Sequence, residues 1–412
     1  MDLGAGPVAS YAHPNIGSMN SVLVTKHTSD GTTAWSRAFG TTGSSTGSTL
    51  VATRDGGVVI GGIFSSSGFH LGGEILASSA RANGFIGKLD AYGNHDWSFS
   101  VSGSRDDRIA GVAVDSANNV LAIGTITQEA DPVKVFPFGE EFRYPIEGGN
   151  GDAFVVKISD SGAPQWLFPI VGGLNEIIVS TPDDSFIVQG KYWGTNQVKI
   201  SGQVFNNPNP TSVAAYVIKF SSSGEVLWFK TFNIGSTNPL SAISDIAVDS
   251  SDDVYVVGSL FNTMNIGGIN ISSNGSSDGF LFKLRGRNGN AIFAKSFGSD
   301  DYSSVNSISI SPSGRAVLGG YFYGDLYIAG ELHSSLDSYF DILIIETDLS
   351  GYVLESNSYN NSITELVSSV LLDNYNNYLM GGHFSGNLKF SDNLDQVRSL
   401  GGDDLFITKF EK

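Results

Sequence analysis

Apolar and polar residues alternate with a period of two along most of this chain. The runs are short and separated by clusters of Asp, Ser, Asn and Gly, the pattern of half-buried β-strands joined by tight turns. The stretch GDAFVVKISDSGAPQW (151–166) shows the unit. Phe154 and Val156 face one way, and Val155 and Lys157 the other. Asp160-Ser161-Gly162 predicts a three-residue hairpin loop in which Gly162 takes the positive φ that the closing bulge needs. Trp166 then opens the return strand.

The stretch recurs. With Lys157 as marker, equivalents stand at Lys26, Lys88, Lys219, Lys283, Glu346 and Lys409, at successive spacings of 62, 69, 62, 64, 63 and 63 residues. The turn glycine follows five positions on at Gly31, Gly93, Gly162, Gly224 and Gly351, and six on at Gly289. Nine positions after the marker come Trp35, Trp97, Trp166 and Trp228. Phe293 holds that place after a one-residue slip, and Glu355 breaks the pattern. Later in each unit comes a second hairpin: VATRDGGVVIGG (51–62), VAVDSANNVLAIG (112–124), IVSTPDDSFIVQG (178–190), IAVDSSDDVYVVG (246–258), ISISPSGRAVLGG (308–320) and VLLDNYNNYLMGG (370–382). Two hairpins per unit predict a four-stranded antiparallel sheet, and a repeat of this length predicts a propeller or a solenoid. Helical apolar spacing and capping boxes are nearly absent, which argues against a helical solenoid.

These units resemble the bacterial β-propeller repeat known as SBBP, a relative of the NHL repeat whose name refers to seven blades. The resemblance lies in DAF-V-K-D-x-G-x-x-x-W followed by IAVDSxGNVYVTG, and it runs from about Ser21 to Phe410. It implies that the IAVD-type hairpin supplies the two inner strands of a blade and the DAFVVK-type hairpin the two outer ones. It also implies a module of a secreted or surface protein, in a family without shared catalytic residues.

Six inner hairpins, six complete outer hairpins and a surplus outer strand, DLFITKF (404–410), predict an all-β propeller of six four-stranded blades, with seven as the alternative. Five blades close within the chain. The sixth is expected from the N-terminal outer hairpin (21–39) and the C-terminal inner one (365–383), so that N- and C-terminal strands close the ring and remove free sheet edges. The surplus strand then displaces residues 21–27, adds at the rim, belongs to a seventh blade completed by residues 5–13, or marks a longer natural protein. The domain reading is one propeller over 21–412, preceded by a segment, 1–20, that offers a closing strand.

Composition narrows the function. The 51 glycines and 16% charged residues suit many short strands and turns. A net charge of −18 argues against nucleic acid, which needs a basic footprint, and against an anionic membrane surface. Zero cysteines exclude disulfides and thiolate chemistry. No apolar stretch reaches the about 18 residues that span a bilayer, and residues 1–20 lack the features of a signal peptide. With the family resemblance, the expected location is extracellular or the cell surface.

Candidate chemistry is sparse. GSSTG (43–47) and GSSDG (275–279) match a nucleophile-elbow pattern formally, but both lie in Ser/Gly-rich loops of an all-β chain, so no catalytic residue is assigned. The six histidines show no metal spacing. Asp252, Asp253, Asp300 and Asp301 are the candidate calcium ligands, although no loop completes D-x-[DN]-x-[DN]-G and turn use is favoured. The expected cofactor is therefore none, with calcium as the alternative.

A variable segment separates the inner from the outer hairpin: FHLGGEIL (69–76), VKVFPFGEEFRYPIE (133–147), VKISGQVF (198–205), MNIGGINI (264–271), LYIAGELH (326–333) and LKFSDNLDQV (388–397). Each reads as a short extra hairpin that either pads the gap between blades or is displayed for binding. The longest, 128–150, carries the binding-loop candidates Glu140, Glu141, Phe142, Arg143 and Tyr144. The marker lysines and phased tryptophans read as inter-blade packing. The leading functional expectation is a non-enzymatic recognition or scaffolding propeller for a protein or glycan partner. The alternatives are a self-assembling structural subunit, and a hydrolase or lyase with paired carboxylates in a central funnel.

Overall fold

A computed structural model describes residues 12–13, 17–18, 21–40, 43–65, 68–77, 81–103, 106–127, 152–193, 197–207, 213–233, 242–298, 300–335, 339–359, 365–390, 397–399 and 404–412. Every described regular element is a strand, and the fold is a β-propeller of six blades. Strands a to d of blade 1 are Ser45–Ala52, Val58–Phe64, Asn83–Leu89 and His95–Val101. Blade 2 is Arg108–Val114, Val120–Ile126, Asp152–Ile158 and Pro164–Ile170. Blade 3 is Leu174–Ser180, Phe186–Trp193, Val213–Phe220 and Val226–Asn233. Blade 4 is Ala242–Val248, Val254–Leu260, Asp278–Leu284 and Ala291–Phe297, and blade 5 is Tyr302–Ile310, Arg315–Tyr323, Asp341–Asp348 and Val353–Tyr359. In all five, the spatial order follows the sequence order, so the inner and outer hairpins are those expected.

Among the described residues, blade 6 has three strands, Glu365–Leu372, Tyr378–Phe384 and Asp404–Phe410. The surplus strand pairs along all of strand b, from Phe384↔Asp404 to Tyr378↔Phe410. It takes the sheet edge expected for residues 21–27. Those residues pair instead with their own hairpin partner, Val22–His27 against Thr33–Phe39. Val22, Val24, Trp35 and Phe39 bury against Val58, Ile60, Phe64 and Phe85 of blade 1. In the segment 1–20, Ala12–His13 pairs with Gly17–Ser18, and residues 5–11 lie outside the described residues.

The chain forms two compact units: residues 1–192, 196–207 and 217–226, and residues 193–195, 208–216 and 227–412. In the first, Val59, Ile86 and Trp97 pack on Ile109, Val112 and Phe154 between blades 1 and 2. In the second, Tyr255 and Leu281 meet Ile308 and Leu343 between blades 4 and 5, while Val317 and Ile342 meet Val367 and Met380 between blades 5 and 6. Strands b and c have neighbours on both faces, which explains their nearly continuous apolar runs; Asp152–Ile158 and Asp278–Leu284 are buried at every position.

Each inner hairpin carries a register shift at the same phase, for example Gly47/Thr49, Ile243/Asp245 and Val305/Ser307. A bulge there re-aims the next side chain, and in blades 1, 4 and 5, where that residue is polar, it caps the exposed edge of strand a in the following blade. Thr49 Oγ1 accepts the Val112 N–H (3.2 Å), Asp245 Oδ2 the Ile308 N–H (3.0 Å), and Ser307 Oγ the Val370 N–H (3.2 Å). Burial pushes the Asp245 carboxyl above its ordinary value, against the hydrogen bonds from Ile308, Ser307 and Ile246.

Candidate functional site

The phased lysines of blades 1 to 4 form a clasp within each blade. Lys88, Lys157, Lys219 and Lys283 are buried, yet each ammonium meets a carboxylate in the inner turn of its own blade. The pairs are Lys88–Asp55 (3.2 Å), Lys157–Asp115 (2.9 Å), Lys219–Asp183 (3.5 Å), and Lys283 with Asp249 (3.0 Å) and Asp253 (3.1 Å). Lys26 donates to the carbonyls of Gly56 (2.8 Å) and Ala91 (3.2 Å), and Lys409 meets Glu411 (3.3 Å). The acid shifts by two positions within the turn. It is Asp115 or Asp249 in blades 2 and 4. In blades 1 and 3 a Thr (Thr53, Thr181) takes that place and hydrogen-bonds Asp55 or Asp183. The Thr53 hydrogen bond comes first among the causes that lower the Asp55 carboxyl to about 2.

Glu346, the exception among the markers, is compensated. It binds Arg315 (3.2 Å) from its own inner turn and Lys412 (2.6 Å), which also reaches Glu355 (2.6 Å). Lys412 stands three residues after marker Lys409, the phase at which Asp160 of blade 2 reaches Lys88 (2.5 Å). The same contact therefore occurs with both charges reversed. At the phase of Lys412, the leading hairpin has Ser29, which carries no cation for Glu346. This is one physical reason that strand Asp404–Phe410, with its own continuation to Lys412, holds the edge of blade 6.

The phased aromatics lock consecutive hairpins. Trp35, Trp97 and Trp228 donate Nε1–H to the carbonyls of Ala91 (3.1 Å), Asp160 (3.0 Å) and Gly286 (2.7 Å) in the next outer turn. The turn glycine lies against the ring: a Cβ on Gly162 would stand 2.8 Å from Trp97, and one on Gly351 2.7 Å from Phe293. Trp166 stacks on Phe168 (5.2 Å) and Phe186 (5.8 Å). Gly162 has φ +85°, so Gly162→Ala is expected to cost about 1–2 kcal/mol from the left-handed backbone alone. Displacement of the Trp97 ring would add to this, and a lowered thermal midpoint with a red-shifted tryptophan emission would report both.

The short hairpins are two-sided. Gln197–Ile200/Gln203–Asn206, Thr263–Ile266/Ile269–Ser272 and Asp325–Ile328/Glu331–Ser334 bury Val198 and Ile200, Met264 and Ile266, and Leu326 and Ile328. His333 fixes the last of these to strand d of blade 5, with ring nitrogens 2.8 Å from Ser356 Oγ and 3.1 Å from Ser358 Oγ. Burial lowers its pKa, against the pull of Glu331. The opposite faces are open, and that of Asp325–Ile328/Glu331–Ser334 is apolar at its centre, with Tyr327 66% and Leu332 48% exposed; Val204 (49%) instead stands beside Lys199, and the open face of the middle hairpin carries Asn265 and Asn270. Tyr327 and Leu332 are direct cross-strand partners. Padding and display thus occur on opposite faces of one element. The candidate loop 128–150, with Glu140, Glu141, Phe142, Arg143 and Tyr144, lies outside the described residues.

The proposed calcium ligands fall at opposite ends of inner strands. Asp252 and Asp253 sit in the a–b turn of blade 4, where Asp253 binds Lys283 and accepts the Gly286 N–H (2.9 Å). Asp300 and Asp301 precede strand a of blade 5. Among the described residues, no group of three or more acidic or histidine side chains is arranged to hold a metal. The sequence reading missed an aromatic group in blade 5, formed by Tyr302, Tyr321, Tyr323 and Phe340. Its signal was departure from the repeat, not conformity to it.

No family model matches the chain. Over 191 residues it is 28% identical to the uncharacterized WD repeat-containing protein L264 of Acanthamoeba polyphaga mimivirus, covering 42% of this chain and 13% of that protein. Over 287 residues it is 26% identical to the regulatory protein FlaEY of Caulobacter vibrioides, covering 64% of this chain and 28% of that protein. The chain therefore spans less than a third of the length of either curated relative. Among solved structures it is similar to the Pan2 WD40 domain of Neurospora crassa, at 12% identity and a TM-score of 0.41 over 83% of this chain and 75% of that one. It is also similar to a europium-containing methanol dehydrogenase, at 10% identity and a TM-score of 0.40 over 90% of this chain and 81% of that one. The class, β-propeller repeat protein, rests on the sheets themselves. The SBBP resemblance remains one of residues and spacing.

Proposed function

We propose that this chain is a non-enzymatic interaction propeller that binds a protein partner through the open faces of its short hairpins, in a secreted or surface-displayed setting. The carrying observation is the pair Tyr327 and Leu332, side by side and exposed on a hairpin whose other face is anchored in its blade. Exposed aromatic and aliphatic residues on a rigid support are the usual makings of an interface centre. The binding reading is preferred to the hydrolase reading because Asp55, Asp115, Asp183, Asp249 and Asp253 are all engaged by marker lysines. In affinity capture from the native source, Tyr327→Ser with Leu332→Ser is expected to weaken partner recovery at least about tenfold, the scale of a hot-spot loss. The thermal midpoint should not change. Full recovery with the double variant would refute the hairpin assignment.

A further inference from the structure

In a repeat protein, a residue present at the same phase of every blade serves the shared packing. A residue found in one blade alone needs another explanation. Blade 5 carries such residues in Tyr302, Tyr321 and Phe340, joined by Tyr323, whose place is also aromatic in blades 3 and 4 (Trp193, Phe261). Tyr302 pairs with Tyr323 and Ser304 with Tyr321 across strands a and b, so the three rings lie on one face. Phe340 meets all three edge-on, with ring centroids 5.0 Å from Tyr321, 6.2 Å from Tyr323 and 6.4 Å from Tyr302. Tyr302 and the adjoining Tyr339 are each more than two-fifths exposed (43% and 44%). Six residues before the marker, where blade 5 has Phe340, the other units have Ala82, Gly151, Val213, Ser277 and Asp403. At the phase of Tyr321 stand Ile63, Thr125, Lys191, Ser259 and His383. The propeller does not require aromatic residues at these positions.

The segment that carries these rings has one sign of charge beside them. Asp301 precedes Tyr302, and a Cβ on Gly324 would collide with its carboxylate, which places the acid beside the Tyr323 end of strand b. Asp300 and Asp325, which adjoin Asp301 and Gly324 in the chain, are exposed. From Phe297 to Ile345 the sequence has one Lys or Arg, Arg315, at the opposite end of the a–b hairpin and bound to Glu346. Tyrosine rings attract cations through their quadrupole, and a ring of carboxylates raises local cation concentration. A neutral sugar would use the rings without needing the acids, and an acidic segment would be repelled.

Deepening the interaction reading, on which this rests, we propose that the aromatic face of blade 5 docks a Lys/Arg-rich segment of a protein partner. The cationic heads lie over Tyr302 and Tyr323, with Asp300, Asp301 and Asp325 around them.

The test is fluorescence anisotropy of labelled octa-arginine titrated with the whole chain, with octa-glutamine as the uncharged control. Wild type should bind octa-arginine saturably, more weakly as salt rises, and leave octa-glutamine free. Tyr302→Ala with Tyr323→Ala should weaken binding about 5- to 20-fold, the scale of two cation–π contacts, while Tyr302→Phe with Tyr323→Phe keeps it. Circular dichroism melts identify any variant that fails to fold, for which the single Tyr302→Ala, at a partly exposed edge, is the substitute. Equal affinity of wild type and the folded alanine variant would overturn the proposal, because the peptide would then be reading net charge alone. Salt-independent displacement by a neutral oligosaccharide would also overturn it. The hairpin variants described above are read with the native partner, so either idea can fail while the other stands.

Discussion

Lys157→Met is expected to destabilise the first unit by about 3–5 kcal/mol, because it leaves a carboxylate in the interior without its counter-charge. Lys157 and Asp115 lie 2.9 Å apart with side chains only 8% and 4% exposed. Methionine matches the stem, so lost packing contributes little. Asp115 cannot simply turn outward, since it also accepts hydrogen bonds from the N–H groups of Ala117 (3.0 Å) and Asn119 (2.8 Å). The pH dependence separates this explanation from a cavity effect. Burial pushes the Asp115 carboxyl up, but hydrogen bonds from Asn119 and Lys157 outweigh it and hold the group below its ordinary value. A depressed carboxylate stabilises the fold above its unfolded pKa, near 4, and loses that contribution as pH falls through the folded value. The gap between Lys157→Met and wild type should therefore narrow below about pH 4, as the acid becomes neutral in both. Chemical denaturation at several pH values measures it. A constant gap would show that the pair contributes no electrostatic stabilisation.

The blades were legible because both hairpins repeat, so a period of two within strands and about 63 between them defined the sheets without any tertiary information. The partners of the markers were less legible. The acid that meets Lys219 is Asp183, whereas the one that meets Lys157 is Asp115, two turn positions earlier, and only folding shows that both reach the same ammonium. Glu346 reverses the sign of the marker, and Arg315 and Lys412 supply the opposite charge from two separate elements. Glu355, the break in the aromatic series, shares Lys412, so both irregularities have one cause. The blade 5 tyrosines were overlooked for the opposite reason. Reading for the repeat rewards residues that recur, and Tyr302, Tyr321 and Phe340 do not.

Asp107→Asn is expected to flatten the stability profile of the chain between pH 4 and 7. Asp107 is fully buried just before strand a of blade 2, where its own N–H donates to Ala82 of blade 1 (3.0 Å). Its carboxylate accepts the N–H groups of Thr127 (2.8 Å) and Gly103. Burial raises its pKa to about 7, against those two hydrogen bonds and with some help from the neighbouring Asp106. The sign is opposite to that of Asp115. In the unfolded chain this acid ionises near pH 4, while in the folded chain it keeps its proton to about pH 7, so the folded state binds more protons across that interval. Stability from this group is complete below pH 4 and falls as pH rises, by an amount on the order of 4 kcal/mol for a shift of about three units. The depressed acids Asp55 and Asp183, lowered to about 2, change stability only below that window. Asp245 and Asp278, also raised by burial, keep a residual slope in the variant. Wild type should thus lose stability on going from pH 4 to pH 7, and Asp107→Asn should lose several kcal/mol less, on the order of the linkage above, in parallel urea titrations. Identical slopes would mean that Asp107 is already ionised in the folded chain and that the two backbone donors, not burial, set its charge.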